Sequence, residues 1–322
     1  MKAENMKKII TIILMLGFSS IYSQTGTVFP TDQKSLKVFN GGFFTEGPAV
    51  GKDGCVYFSD QTFTTETDME AGIIWKYDPH RDTTVVFRSP SGMSNGILFD
   101  QRGNMIVCEG ADFGGRMIIR TDMNTGKSKI IAGLYNGNPF NSPNDVTIDS
   151  RGRIYFTDPR YTGHESVDQP IMGVYRIDGD NNIKLIIDNI PMPNGIALSP
   201  DEQTLYVGCN YEGDENNKSV SAIYSYNISN DDSITFNKEL IKLKDDAGPD
   251  GIKTDSRGNL FIAVRDEENP QIKVYNPDGT PIDSLNLPEV PSNLTFTPSG
   301  SELYITAGRS LYHIMLNLSR MK

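Results

Sequence analysis

The chain has 322 residues, 37% of them hydrophobic, with 30 Gly, 18 Pro and a formal net charge of −11. That apolar fraction suffices for a packed core, and the Gly and Pro content calls for many turns. The acidity argues against nucleic acid or an anionic membrane as partner and is compatible with a bound divalent cation.

In chain order, the first element is "MKAENMKK", a basic stretch, followed by the apolar run "IITIILMLGF" and then "SSIYSQ". This is the layout of a signal peptide, and the apolar run is too short for a membrane span. Cleavage is expected at Ser23, leaving residues 24–322 as one domain exported to the periplasm or beyond, with no membrane attachment. "SLKVFN" from Ser35 to Asn40 reads as a strand.

From there the chain repeats itself. "EGPAVGKDGCVYFSD" begins at Glu46, "SNGILFDQRGNMIVCEG" at Ser94, "SPNDVTIDSRGRIYFTD" at Ser142, "PNGIALSPDEQTLYVGCN" at Pro193, "PDGIKTDSRGNLFIAV" at Pro249 and "PSNLTFTPSGSELYITA" at Pro291. Each unit has a polar anchor, an alternating strand, a tight polar turn and a second strand; third strands such as "IIWKYDP" and "GVYRIDG" follow in most. The anchors Glu46, Asn95, Asn144, Asn194, Asp250 and Asn293 recur at intervals of 49, 49, 50, 56 and 43 residues. A period of that size with several short strands per unit predicts a propeller blade. The fold class is therefore all-β, a six-bladed β-propeller, with Ser35 to Asn40 supplying the outer strand of the last blade and removing a free edge.

In a propeller the first strand of each blade lines the central channel, so the six anchors converge at one mouth. Glu46, Asn144, Asn194 and Asp250 are all hard oxygen donors, suited to Ca²⁺, Mg²⁺ or Mn²⁺. Other catalytic templates lack support. Of three histidines, His80 lies in a "DPHRD" turn, His313 in a predicted strand and His164 in the loop after "FTDPRY". There is no G-x-S-x-G elbow, and "GADFGG" opens no helix that could bind phosphate. Cys55, Cys108 and Cys209 show no C-x-x-C spacing and read as small buried hydrophobes. A divalent cation could polarise an ester or lactone carbonyl, with Asp250 as general base.

At these residues the chain resembles the senescence marker protein / gluconolactonase / regucalcin-like family, from about Phe44 to about Ile305. The matching pieces are "EGP" at Glu46, "NSPNDV" at Asn141, "IYFTDPRY" at Ile154, "PNGIALSPDEQTLYV" at Pro193 and "GPDGIKTDSRGNLFIA" at Gly248. The resemblance implies one divalent metal at the channel mouth, calcium or zinc, held by Glu46, Asn194 and Asp250. Asn144 would complete the metal shell or contact substrate, and Asp250 would be the acid/base. The implied reaction is hydrolysis of a small-molecule sugar lactone. Ser142 stands where animal members carry Arg, Gly110 where a His is common, and the 162–173 loop is unlike the family's short one, all where substrate would sit. Asn95, Glu109, Arg116, Arg160 and Tyr161 are the candidate substrate contacts. The alternatives are a non-catalytic propeller binding sugar acids or a protein, or a hydrolase of other esters or organophosphates.

Overall fold

The computed structural model describes residues 27–30, 35–67, 72–179, 182–245 and 247–317. The expected signal peptide over 1–23 lies outside the described residues. Six four-stranded antiparallel sheets stand around a central axis as the blades of a propeller. Their innermost strands are Thr45–Val50, Ser94–Phe99, Val146–Ile148, Pro193–Leu198, Gly248–Thr254 and Pro291–Phe296. Blades one to six are numbered in that order. Among the described residues no helix is long and apolar enough to cross a membrane.

The blade geometry follows from sequence periodicity and turn chemistry. Second strands such as Val56–Asp60, Ile154–Thr157 and Leu260–Arg265 are almost wholly buried, whereas outer strands such as Thr83–Arg88 and Pro281–Asn286 are largely exposed. The turns between first and second strands share one device. Asp100 Oδ1 accepts the backbone N–H of Arg102 and Asn104 at 2.9 Å each, and Asp255 Oδ1 does the same for Arg257 and Asn259. These are Asx turns. Gly258, with φ of 84°, takes the left-handed position that a side chain would strain.

The core lies between blades. Ile106, Cys108 and Ile118 of blade two pack on Phe140, Val146, Phe156 and Tyr175 of blade three. The rings of Phe140, Phe156 and Tyr175 are 5.1–5.4 Å apart. All three cysteines are buried and free, as read from the sequence.

The ring closes as expected. Strand Leu36–Phe39 pairs antiparallel with Ser310–Met315 as the outer strand of blade six. Lys37 reaches Glu289 at 2.5 Å, and Glu289 also accepts from Ser310 and Tyr312. Phe39 lies 5.3 Å from Phe58 and 5.1 Å from Trp75 in blade one, fastening the last blade to the first. Replacing Phe39 by Ala should therefore cost about 2 kcal/mol, because the half-buried ring is lost from both blades. That corresponds to a fall of roughly 3 °C in Tm by calorimetry; an unchanged Tm would show that closure does not depend on this contact.

Candidate active site

Five of the six anchors owe their direction to bulges; the sixth, Asn144, is delivered by a loop. Strand pairing slips between Glu46 and Ala49, Ser94 and Ile97, Pro193 and Ile196, Pro249 and Ile252, and Pro291 and Asn293. Each slip falls at an anchor. A bulge adds a residue to one strand and re-aims its side chain, here toward the axis. The residue after an anchor meets the next blade. A Cβ on Gly195 would lie 2.1 Å from the Asp250 carbonyl oxygen, so glycine is required there. Hydroxyls complete the ring: Ser59 donates to the Asn95 carbonyl at 2.7 Å and Thr157 to the Asn194 carbonyl at 2.8 Å. Anchors on neighbouring blades are thus fixed to one another by backbone contacts, and their side chains are left for the channel.

Asp158 explains the acidic residue at the end of "FTD". Its carboxylate accepts the N–H of Asn141 at 2.8 Å and of Ser142 at 2.7 Å, pinning the loop that delivers Asn144. Asp60 does the same in blade one for Phe43 and Phe44.

A cavity of about 290 Å³ opens at this mouth, lined by Glu46, Asn95, Asn144, Tyr161, Asn194 and Asp250 among others. These anchors are separated by tens of residues in sequence and meet here. Glu46 and Asp250 are 2% and 4% exposed. Glu46 accepts from its neighbour Gly47 N–H and from Asn293 Nδ2 at 3.1 Å. Burial, and then the charges of Asp250 and Asp145, push the Glu46 carboxyl well above its ordinary range. Burial likewise raises Asp250, against the opposing pull of Arg265, whose Nη1 donates to Asp250 Oδ2 at 3.1 Å. Two buried carboxyls with one cation between them hold a proton more tightly than isolated ones.

The amide oxygens Asn95 Oδ1 and Asn194 Oδ1 are buried with no hydrogen-bond partner. An orphaned buried acceptor is costly, and Asn194 Oδ1 sits in the same ring as the two carboxylates. Among the described residues no three His, Cys, Asp or Glu side chains form a metal cluster. The donor set is instead two carboxylates plus an unsatisfied amide oxygen, which fits a hard divalent cation with water completing its shell.

Below the cavity the channel is closed by polar contacts. Asp145 Oδ2 meets Lys253 Nζ at 3.3 Å and accepts Ile196 N–H at 3.2 Å; Lys253 Nζ lies 3.4 Å from Asn293 Oδ1. Asn293 joins this layer to Glu46. Here the anchor is followed by Asp rather than Gly, and its carboxylate supplies the partner for Lys253.

Three sequence-derived substrate contacts fall elsewhere. Arg116 Nε donates to the Phe140 carbonyl at 2.7 Å and its Nη2 meets Asp168 at 2.8 Å. Arg160 Nη1 donates to the Asn141 carbonyl at 2.8 Å, and its other end engages Glu165. Both guanidiniums brace the 140–169 segment and do not line the cavity. Glu109 packs against Gly92 and Gly115, where an added Cβ would meet it at 2.6 and 1.8 Å. All three point away because their strand ends or loops turn behind the cavity wall. Tyr161 does line it: the ring is 43% exposed at the rim, and its hydroxyl reaches toward the Asn210 carbonyl at 3.4 Å. His164 contacts Thr64 and Phe113 at the rim and stays out of the cavity lining. Ser142 lines the cavity, at a position the sequence reading placed near substrate, whereas Arg265 and Asn210 were missed as lining residues. Arg265 had a usable signal, since it ends its second strand as Asp60 and Glu109 end theirs.

The chain was compared with known proteins. The family described as SMP-30/Gluconolactonase/LRE-like region matches residues 44–309. The chain is 30% identical over 299 residues to a gluconolactonase of Zymomonas mobilis, covering 84% of this chain and 78% of that protein. Its structure is similar to that of XC5397 from Xanthomonas campestris, described as a gluconolactonase. The TM-score is 0.77 at 25% identity, over 90% of this chain and 91% of that one. A regucalcin from Agrobacterium tumefaciens, described as calcium-binding, matches with TM-score 0.69 at 17% identity, over 90% of this chain and 96% of that one, and shares the fold.

Glu109 yields a pH prediction. Burial, against the pull of Arg88, raises its carboxyl to about 7. The unfolded carboxyl ionises near its ordinary value, so between the two values the folded form binds the extra proton. Stability is then full below the unfolded value and falls as pH rises through about 7, by an order of 2–3 kcal/mol. Glu109→Gln should flatten the decline in Tm between about pH 5 and about pH 8 and leave the cavity intact. Equal slopes in the two proteins would refute the assignment.

Proposed function

Because the chain belongs to the SMP-30/Gluconolactonase/LRE-like family, we propose that it is a divalent-metal-dependent lactonase that opens small sugar lactones such as gluconolactone. The lactonase activity is supported by the gluconolactonases to which the chain is similar. The observation that carries the metal dependence is the buried pair Glu46 and Asp250 facing the same cavity as the unsatisfied Asn194 Oδ1.

Glu46, Asn194 and Asp250 would hold the cation, with Asn144 completing the shell or touching substrate. The all-oxygen set favours Ca²⁺, with Mg²⁺ and Mn²⁺ as weaker fits and Zn²⁺ disfavoured by the lack of nitrogen and sulfur ligands. When bound, the ion would act as a Lewis acid toward the lactone carbonyl. The protein's own groups do the rest. Asp250 accepts a proton from the attacking water as the water oxygen bonds the carbonyl carbon; burial raises its proton affinity toward the working range. The C–O bond of the ring then breaks, the ring oxygen takes that proton, and the acid so formed ionises to a hydroxy carboxylate. Asn144 and Tyr161, both lining the cavity, are positioned to hydrogen-bond sugar hydroxyls. We further propose that residues 1–23 direct export, which the amino-terminal sequence of the mature protein would test.

Metal-stripped protein should hydrolyse gluconolactone slowly, and added Ca²⁺ should restore turnover, followed by proton release. Saturating Ca²⁺ should also stabilise the fold, by about 2.7 kcal/mol at one hundred times Kd. Asp250→Asn should lower kcat at least about 100-fold and abolish the Ca²⁺-induced rise in Tm, with circular dichroism unchanged. Full activity in Asp250→Asn, or turnover indifferent to metal, would overturn this mechanism.

A further inference from the structure

Arg265 is the only basic side chain lining the cavity among the described residues. It ends strand Leu260–Arg265 of blade five, paired with Gly248 on the strand that carries Asp250. Its guanidinium lies 5.3 Å from the centroid of Phe44, at the start of blade one. Blade six stands between these two and ends its corresponding strand on Ala307, a side chain small enough to leave the span open. Phe44 holds the guanidinium over its ring by a cation–π contact.

The guanidinium is sparsely used. It makes one hydrogen bond, Nη1 to Asp250 Oδ2 at 3.1 Å, rather than the two-pronged pairing that its fork permits. Its side chain is 32% exposed, into the cavity. The remaining N–H donors have no protein acceptor among the described residues. The other charged groups of the cavity, Glu46, Asp250, Glu66 and Glu212, are all carboxylates. A structural ion pair alone would not need a donor fork left open toward the substrate space.

Lactone hydrolysis creates negative charge where the substrate had none. When water bonds the carbonyl carbon, the former carbonyl oxygen becomes an oxyanion, and the water proton moves to Asp250. We propose that Arg265 is a catalytic residue whose free N–H groups take up this oxyanion and then bind the product carboxylate. The ring C–O bond breaks, the ring oxygen takes up the proton that the water gave, and the acid so formed ionises to the hydroxy carboxylate that Arg265 holds until it leaves. This inference rests on the lactonase reading above and names a residue that the sequence had not singled out.

The test uses metal-loaded wild type, Arg265→Met and Arg265→Lys. Two measurements are made: kcat and KM for gluconolactone, and calorimetric titration with gluconate and with sorbitol, its carboxylate-free counterpart. Losing one preorganised oxyanion donor costs about 100- to 1000-fold in kcat. Arg265→Met should show such a loss with KM changed less than about threefold, and Arg265→Lys should recover part of it. Gluconate affinity should fall about tenfold in Arg265→Met, with sorbitol binding unchanged. Ca²⁺ affinity should hold or tighten, since a positive charge beside Asp250 is removed. Unchanged gluconate affinity, no gluconate binding by any of the three proteins, or a kcat loss that merely follows weakened Ca²⁺ binding would overturn the proposal. A wild type that binds gluconate through Arg265 but turns over no lactone would refute the lactonase reading and leave Arg265 as the carboxylate-binding residue.

Discussion

The site turns on one constraint: two carboxylates, Glu46 and Asp250, are buried together with a single guanidinium near them. Burying unpaired charge costs several kcal/mol per ion. The fold tolerates the pair because everything around them is over-determined. Glu46 is held by Gly47 and Asn293, Asp250 by Arg265, and the strands that carry them are locked to neighbouring blades by backbone and hydroxyl contacts. On the proposed reading, a bound cation would make up the residual deficit.

Six-fold repetition makes this possible at small cost in sequence. A bulge at the start of an inner strand is a local feature of one blade, yet repeated around the ring it aims side chains at a shared axis. Most anchors can vary with little effect on the others, because the contacts between blades run largely through backbone carbonyls and small residues; Asn293, which donates to Glu46, is the exception. This is why Glu, Asn and Asp can occupy equivalent positions, and why one position departs further by following its anchor with Asp145. Fold and site are thereby separable: outer strands and turns stabilise the blade, and inner-strand starts are free to carry chemistry.

The blades were legible in the sequence because their period, turn residues and strand alternation are local signals. Ring closure was legible because "SLKVFN" is a strand with no partner of its own before Glu46. The anchors were legible because equivalent positions in a closed ring must converge. What escaped was whatever depended on the direction of a side chain at the end of a strand or in a loop. Arg116 and Arg160 stand near site residues in sequence, but backbone carbonyls at Phe140 and Asn141 capture their guanidiniums. Glu109 occupies the same strand-end slot as Arg265, yet it packs against Gly92 and Gly115 while Arg265 lies across the mouth. A slot can be read from the repeat; which way its occupant leans depends on neighbours that the repeat does not fix.

The charges along the axis give the arrangement its logic. Three buried carboxylates, Asp145, Glu46 and Asp250, face two protein cations, Lys253 from below and Arg265 from above. Were all three ionised, the metal-free channel would be one negative charge in excess, in a setting where unbalanced charge is expensive, and burial with the neighbouring charges pushes the Glu46 carboxyl up accordingly. A monovalent ion would balance it and leave no field to act on a neutral substrate. A divalent ion leaves one positive charge in excess, and a neutral lactone does not cancel it. The oxyanion does, and so does the product carboxylate. A channel charged in this way favours the state in which the substrate has become an anion, which is what differential stabilisation of a transition state requires. Lys253 contributes to this without approaching the substrate: by neutralising Asp145 it prevents a third carboxylate from absorbing the charge of the ion.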